Sequence, residues 1–365
     1  MTASLKKISA GDGYDYLTKQ VAAFDDTNLG REKLIDYYEE KGESPGVWMG
    51  SGLRTLDQVH GFGVEAGAAV GEEQMKALFG VGRHPEADRI EAKVIAEGGT
   101  VKEALKASQL GRLFKDGASG PFHEALAEAY IAWNVEHGQS PRAKLPDEIR
   151  AKIRTTLALA SFRKLYGRDP LSKQEFDGHL KRELRGKEGR SCAGFDLTFS
   201  PVKSISVLWG VGPREVAEVI EQAHAEAVAE TIAFLEENAC YTRRGIRGAR
   251  QVETNGLIAA AFTHRDSRAG DPDLHTHVAI SNKVQAKEDG AWLALDGRMI
   301  YQLTVAASER YNSAMERILT AELGLEWVGR ESDSGRREIR EIAGISSKLL
   351  EVFSRRRVVI RERQA

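Results

Sequence analysis

The chain has 365 residues, with 52 Lys or Arg against 54 Asp or Glu, 41% hydrophobic residues, two Cys and a formal net charge of −2. That is the composition of one large or two modest globular domains, and it excludes disordered, collagen-like and disulfide-built classes. No run approaches 18 consecutive apolar residues, and MTASLKKISAGDGYDYL has no apolar core before a small-residue cleavage site, so the reading is a cytoplasmic protein without membrane insertion. Cys192 and Cys240 have no CxxC partner and read as buried free thiols. Balanced charge argues against a general nucleic-acid binder but leaves room for local basic faces. Candidates are Lys6 and Lys7, the run Arg243, Arg244, Arg247 and Arg250, and the C-terminal Arg355, Arg356, Arg357, Arg361 and Arg363.

In chain order, SLKKIS predicts an opening strand, AGDG a turn, and Tyr16, Leu17, Val21 and Phe24 a helical stretch. DDTNLGREKLIDYYEEKG follows and ends in a Gly-rich loop, GVWMGSGL. From about 70 to 190 the composition turns to Ala, Glu, Lys and Arg at helical spacing, as in EADRIEAKVIAEGG and PDEIRAKIRTTLALASFRKLYG, which predicts a mostly helical insert. A β-rich stretch opens at Gly194. In FDLTFS, alternation puts Phe195, Leu197 and Phe199 on one face and Asp196, Thr198 and Ser200 on the other. SISVLWG reads as a second apolar strand or as the end of the first, and the segment after Pro213 reads as a long amphipathic helix. GLIAAAFTH and LHTHVAISNKV are two further strands, RMIYQLTVAASERYNSAMERILTAELG is another long helix, and the chain beyond Trp327 is charged and peripheral. A sheet with helices laid on one face, the α+β class, fits this order better than regular βαβ repetition.

The sharpest constellation is FTHRDSRAGDPDLHTHVAI, with His264, His275 and His277. Residues two apart on a strand share a face, so His275 and His277 point the same way, and a loop from Arg265 to Asp273 returns the chain beside the strand ending at His264. Three imidazoles with open positions left over suit a borderline divalent metal in a catalytic site. Such ligands need partners on their other nitrogens. Asp196, a carboxylate on an otherwise apolar strand, is the best candidate, with Asp266 and Asp271 as alternatives. Tyrosines form a second constellation: Tyr14 and Tyr16, then Tyr37 and Tyr38. A phenol of pKa about 10 is a poor nucleophile on its own, but beside a metal-bound phosphodiester it can attack phosphorus and form a covalent ester. On a helix Tyr14 and Tyr16 lie about 200° apart, so only one of them faces a site. There is no GxxxxGK[ST], no GxGxxG after a strand, no HExxH and no GxSxG.

The tyrosine cluster, FDLTFSPVKSIS and the H(x10)H-x-H of HRDSRAGDPDLHTH, in that order, together resemble the relaxase domain of conjugative plasmids, the TrwC/TraI-like (MobF) branch of the HUH endonucleases. The resemblance extends through DGAWLALDGRMIYQ to about residue 330. It implies a central antiparallel β-sheet with helices packed on it, the palm of relaxases and Rep-like proteins. Residues 1–330 would be the relaxase domain, with the insert at about 70–190, and residues 331–365 a charged extension leading to an absent, helicase-bearing region.

The resemblance also implies site- and strand-specific nicking and strand transfer at a plasmid origin of transfer, through a 5′-phosphotyrosine intermediate. His264, His275 and His277 would hold a divalent metal, Mg²⁺ or Mn²⁺ with Zn²⁺ as a third option. Asp196 would orient one of those histidines and take the tyrosine proton. Tyr16 matches the first nucleophile, with Tyr14 the fallback, because the family's adjacent tyrosines are here Tyr14-Asp15-Tyr16. Tyr37 or Tyr38 would match the second tyrosine, and Arg268 and Lys203 would contact DNA or the site carboxylates, with Arg243, Arg244 and Arg247 adding phosphate contacts. The implied partners are single-stranded DNA with a hairpin at the origin of transfer, relaxosome accessory proteins, and a type IV coupling protein with its secretion channel. A rolling-circle replication initiator or single-strand transposase, and a metal phosphodiesterase that uses water, are the alternatives.

Overall fold

The computed structural model describes residues 3–19, 45–114, 121–139, 143, 145–185, 191–266, 271–330 and 338–354. Tyr37, Tyr38, Arg268 and the arginines from 355 onward lie outside them. The chain divides into two units, Met1–Leu113 with Cys192–Ala365, and Phe114–Ser191.

The first unit opens with strand β1 (Ala3–Ser9), short helix α1 (Asp15–Lys19), strand β2 (Val47–Met49) and a 3-10 stretch, Ser51–Gln58. GVWMGSGL, expected as a loop, therefore holds a strand and the start of a helical turn. Gly50 makes the corner between them at φ 101°, a conformation that side chains resist. Helix α2 (Glu72–Met75) runs into a π-helical turn, Lys76–Val81, and is followed by α3 (Ala87–Ala96) and α4 (Val101–Ala107). A capping box starts α4, with Thr100 and Glu103 each satisfying the other's backbone N–H.

These helices are not part of a separate insert. Gly11 donates its N–H to Gly80 at 3.0 Å, and the Phe79 ring packs against Gly194 of the sheet, so apolar contact assigns residues 72–107 to the first unit. The helical run expected over about 70–190 is thus two structures, and only Phe114–Ser191 stands as its own unit. That second unit consists of α5 (Pro121–Glu136), α6 (Asp147–Tyr166) and α7 (Lys173–Arg185) around Phe122, Leu126 and Ala158, with Ile153, Leu157, Phe176 and Leu180 against them. Gly167 in the left-handed region ends α6.

The first unit resumes with β3 (Cys192–Phe199), α8 (Lys203–Val211), α9 (Arg214–Ala239), β4 (Tyr241–Arg244), β5 (Arg250–Glu253), β6 (Ala259–Asp266) and β7 (Pro272–Ser281). It closes with β8 (Val284–Gln285), β9 (Trp292–Leu293), α10 (Gly297–Leu323), β10 (Trp327–Arg330), β11 (Ile339–Ile342) and α11 (Ser347–Val352). SISVLWG is helix α8 and not a strand. Pro201 has no N–H to give the ladder, and a short apolar run has no periodicity that separates strand from buried helix.

Five strands form an antiparallel sheet in the order β1-β3-β7-β6-β2. Phe195, Leu197, Phe199, Val278 and Ile280 point to one face and pack on α9 and α10 through Ala223, Ala227, Ile232, Ala307 and Met315. Burying each large side chain of this kind stabilises the fold by roughly 1.5–3 kcal/mol. The opposite face carries Asp196, Thr198, His264, His275 and His277. Pairing fixes their placement: Thr198 lies opposite His277, and His264 opposite His275. The β6–β7 ladder continues to Asp266 opposite Pro272, so the connection is tighter than the nine-residue loop expected.

The C-terminal stretch is not peripheral throughout. Ile342 is buried in the main core, the Glu341 carboxylate accepts from the Ser204 N–H at 3.0 Å, and the Ile342 N–H donates to the Ser204 hydroxyl at 2.9 Å. Cys240 is buried, Cys192 partly so, and neither forms a disulfide. Among the described residues no helix is long and apolar enough to cross a membrane.

Gly194 is where β3 approaches its neighbours most closely. A Cβ there would stand 2.3 Å from the Ile280 carbonyl oxygen and 2.9 Å from the Phe79 ring. Gly194→Ala should lower stability by about 1–3 kcal/mol, since a backbone oxygen cannot step aside as a side chain can; an unchanged unfolding midpoint in urea would refute this.

Candidate active site

Three short elements deliver the site. Strand β7 presents His275 and His277 on one face, β6 adds His264 from the neighbouring strand, and β3 adds Asp196 and Thr198 from the other side. Ring centroids are 5.3 Å apart for His264 and His275, 5.6 Å for His264 and His277, and 5.3 Å for His275 and His277. With metal–nitrogen bonds of about 2.1 Å, two imidazoles on one tetrahedral ion have ring centres about 5 Å apart. Among the described residues no three ligand-type side chains stand in finished coordination geometry; the three imidazoles converge without closing a shell.

Their hydrogen bonds fit such an ion. His277 Nδ1 donates to both oxygens of Asp196, at 2.9 and 3.0 Å, and His275 Nδ1 donates to the Asp273 carbonyl at 2.7 Å. A proton on Nδ1 leaves the lone pair on Nε2, the form that ligates a metal. His264 is buried, and among the described residues neither of its ring nitrogens has a hydrogen-bond partner, which is costly unless something else satisfies them. Burial, followed by the neighbouring His275, pushes the His264 pKa down to about 3, and burial also lowers that of His275. Both rings are therefore neutral at physiological pH, and a donor set of imidazoles suits a borderline divalent ion.

Tyr16 belongs to the same cluster. Its hydroxyl donates to Asp196 Oδ2 at 2.6 Å, and its ring lies edge-on to His277 with centroids 6.2 Å apart. Burial first, and the Asp196 carboxylate second, hold the Tyr16 proton firmly on oxygen, far above the usual phenol range. Asp196 is 0% exposed and receives three donors: Tyr16, His277 and, at 3.3 Å, the Thr198 hydroxyl. A fully buried carboxylate needs this saturation. Tyr14 faces elsewhere. It is 6% exposed and packs beside Gly80, and burial raises its pKa as well. The 200° separation thus resolves in favour of Tyr16.

The other expected residues fall out differently. Lys203 donates to the Pro272 carbonyl at 2.8 Å, so it braces the start of the histidine strand, and burial lowers its pKa. Arg243 pairs with Asp296 at 3.3 Å, and Arg244 with Glu288 and Asp289 at 3.1 and 2.7 Å. Arg247 is exposed at the tip between β4 and β5 with φ 57°. Of the alternatives to Asp196, Asp271 is buried with its own interactions; Asp266 ends β6. Sequence reasoning missed Thr198, which also lies 3.1 Å from His277 Nδ1, and the Asp273 carbonyl. Thr198 was findable, two positions after Asp196 on one strand face; a backbone carbonyl leaves no mark in a sequence.

An antiparallel sheet with an H-x-H pair on one strand, a third His on the next and a carboxylate-bound tyrosine from the N-terminal segment has the arrangement of the HUH class. Residues 10–365 match the family described as TrwC relaxase, and the chain belongs to that family. It is 30% identical over 190 residues to the multifunctional conjugation protein TraI of Escherichia coli; the alignment covers 51% of this chain and 10% of TraI. The chain thus spans about a tenth of the curated relatives it matches. Among solved structures, a copper-bound conjugative relaxase TrwC in complex with oriT DNA is similar at 21% identity and a TM-score of 0.51, covering 99% of this chain and 82% of that one. TrwC complexed with a 27-mer DNA comprising the recognition hairpin and the cleavage site is 35% identical, covering 46% of this chain and 57% of that one, with a TM-score of 0.40.

The buried neutral histidine implies an acid sensitivity. The unfolded chain protonates His264 near pH 6.5 while the folded protein resists until about pH 3. The unfolded state therefore binds more protons in that window, and stability falls as pH drops from 6.5 toward 3. Urea unfolding of metal-free protein between pH 7.5 and 4 should show this slope, and His264→Leu should reduce it; equal slopes for both proteins would rule the explanation out.

Proposed function

We propose that this chain is the nicking and strand-transfer domain of a conjugative relaxase, cutting one DNA strand at a plasmid origin of transfer through a tyrosine–phosphate ester. The observation that carries the reading is the chain Tyr16–Asp196–His277, with bonds of 2.6 and 2.9 Å, on the sheet face shared by His264 and His275. No other carboxylate-bound tyrosine stands beside imidazoles among the described residues.

Tyr16 is the nucleophile. Its oxygen forms a bond to phosphorus as the bond from phosphorus to the 3′ oxygen breaks, its proton passes to Asp196 Oδ2, and the 3′ oxygen takes a proton from solvent. The ester bond replaces one of similar energy, so the step needs no ATP and reverses, as strand transfer requires. His264, His275 and His277 hold a divalent ion, Mg²⁺ or Mn²⁺ with Zn²⁺ as the third option, which when bound polarises the scissile phosphate as a Lewis acid. The protein supplies the rest: Asp196 orients His277 and Tyr16 together, and Lys203 steadies the start of β7.

Tyr37 or Tyr38 serves as the second tyrosine, in the transfer that ends a round of conjugation. Arg268, Arg247, Arg243 and Arg244 contact phosphates, Arg244 by exchanging its solvent-accessible partners Glu288 and Asp289, pairings worth little in water. The DNA partner is a single strand with a hairpin at the origin of transfer, met in the cytoplasm alongside accessory proteins, a coupling protein and the secretion channel. The TrwC relaxase solved in complex with oriT DNA supports the choice of substrate.

A labelled single-stranded oligonucleotide spanning the origin of transfer, incubated with Mn²⁺, should give a covalent protein–DNA band on a denaturing gel. The band should persist in Tyr14→Phe and fall by roughly a thousandfold or more in Tyr16→Phe. Cleavage without any adduct would make water the nucleophile and end the relaxase reading.

A further inference from the structure

Behind the histidine strands, on the face packed against the helices, runs a chain of polar groups, three of them buried and the fourth, Thr263, partly so, in an otherwise apolar layer. The Tyr311 hydroxyl of α10 lies 2.6 Å from His224 Nδ1 of α9, His224 Nε2 lies 2.7 Å from the Thr276 hydroxyl of β7, and that hydroxyl lies 2.8 Å from the Thr263 hydroxyl of β6. Tyr311 is 0% exposed, His224 1% and Thr276 3%. Around them the layer is built from Ala223, Ala227, Leu274, Val278 and Ala307. Packing alone does not call for four polar groups there, since buried polar atoms cost free energy unless each is bonded.

Satisfaction fixes the direction of the chain. The Tyr311 proton has no acceptor among the described residues except His224 Nδ1, so Tyr311 donates to that nitrogen. His224 then carries its proton on Nε2 and donates to Thr276, which donates to Thr263. Burial keeps His224 neutral, with its pKa down to about 3, as this order requires.

The position of the chain matters. Thr276 sits between His275 and His277, and Thr263, its cross-strand partner, directly precedes His264. Both threonines point to the back face while the three imidazoles point to the front. Apolar packing is non-directional and tolerates sliding; a hydrogen bond of 2.7 Å to the residue between two ligands does not. We infer that Tyr311, His224, Thr276 and Thr263 form a positioning relay that pins the β6–β7 hairpin to the helix layer and so sets the spacing of the three imidazoles for a divalent cation. The relay rests on the metal reading proposed above, and its members are positioning residues that touch neither ion nor DNA.

The test needs no DNA. Long-range ¹H–¹⁵N spectra of the metal-free protein should show His224 as the Nε2–H tautomer, unchanged between pH 8 and 5. Mn²⁺ titrations followed by the free-ion EPR signal should give a dissociation constant about tenfold or more weaker in Thr276→Val and in Tyr311→Phe, the range found when outer partners of metal ligands are removed. Thr276→Ser, which keeps the hydroxyl, should restore it, and far-UV circular dichroism should be unchanged in all three. Wild-type affinity in folded Thr276→Val and Tyr311→Phe, or an Nδ1–H tautomer of His224, would overturn the relay. A wild-type protein that takes up no Mn²⁺ would instead overturn the metal reading, which separates the two failures.

Discussion

Everything in the site turns on one buried carboxylate. Asp196 has no exposed surface, and an ionised carboxylate there is tolerable only because donors surround it. Two of those donors, Tyr16 and His277, are the groups whose chemistry depends on orientation, so the requirement to satisfy Asp196 is also what aligns them. A residue that would be a liability in an ordinary core strand thereby couples the N-terminal segment, β3 and β7 into one geometry.

The sheet makes that coupling possible. Strand order β1-β3-β7-β6-β2 puts the carboxylate strand beside the H-x-H strand and the third His on the strand beyond. Period-two alternation then separates the work of the faces: Phe195, Leu197 and Phe199 turn to the helices while Asp196 and Thr198 turn to the site. Because one slip of register would exchange the two faces, burial of the apolar set holds the polar set in place. The threonine pair behind β6 and β7 adds direction to what packing supplies only as pressure.

Burial and Asp196 keep the proton on Tyr16, and burial keeps His264 and His275 neutral. A phenol held protonated beside a carboxylate, and imidazoles held neutral beside one another, are the state from which the proposed transesterification would start.

Much of this was legible in the residues. The H(x10)H-x-H spacing, the lone carboxylate in FDLTFS and the Tyr14-Asp15-Tyr16 pair pointed to the site, because short-range periodicity determines which side chains share a face. The long helices α9 and α10 and the β6–β7 hairpin were readable for the same reason. Other features were decided only by tertiary structure. SISVLWG became a helix because Pro201 ends the ladder. Residues 72–107 joined the sheet unit through the apolar contact of Phe79. The choice of Tyr16 over Tyr14 followed from which ring the core at Gly80 absorbed. Thr198 and the His224 relay act across strands and layers, at sequence separations of up to 87 residues, and the Asp273 carbonyl is a backbone acceptor; local pattern carries no record of either kind of contact. The sequence determined which groups were available and which faces they would share; only the packed chain decided which of them meet.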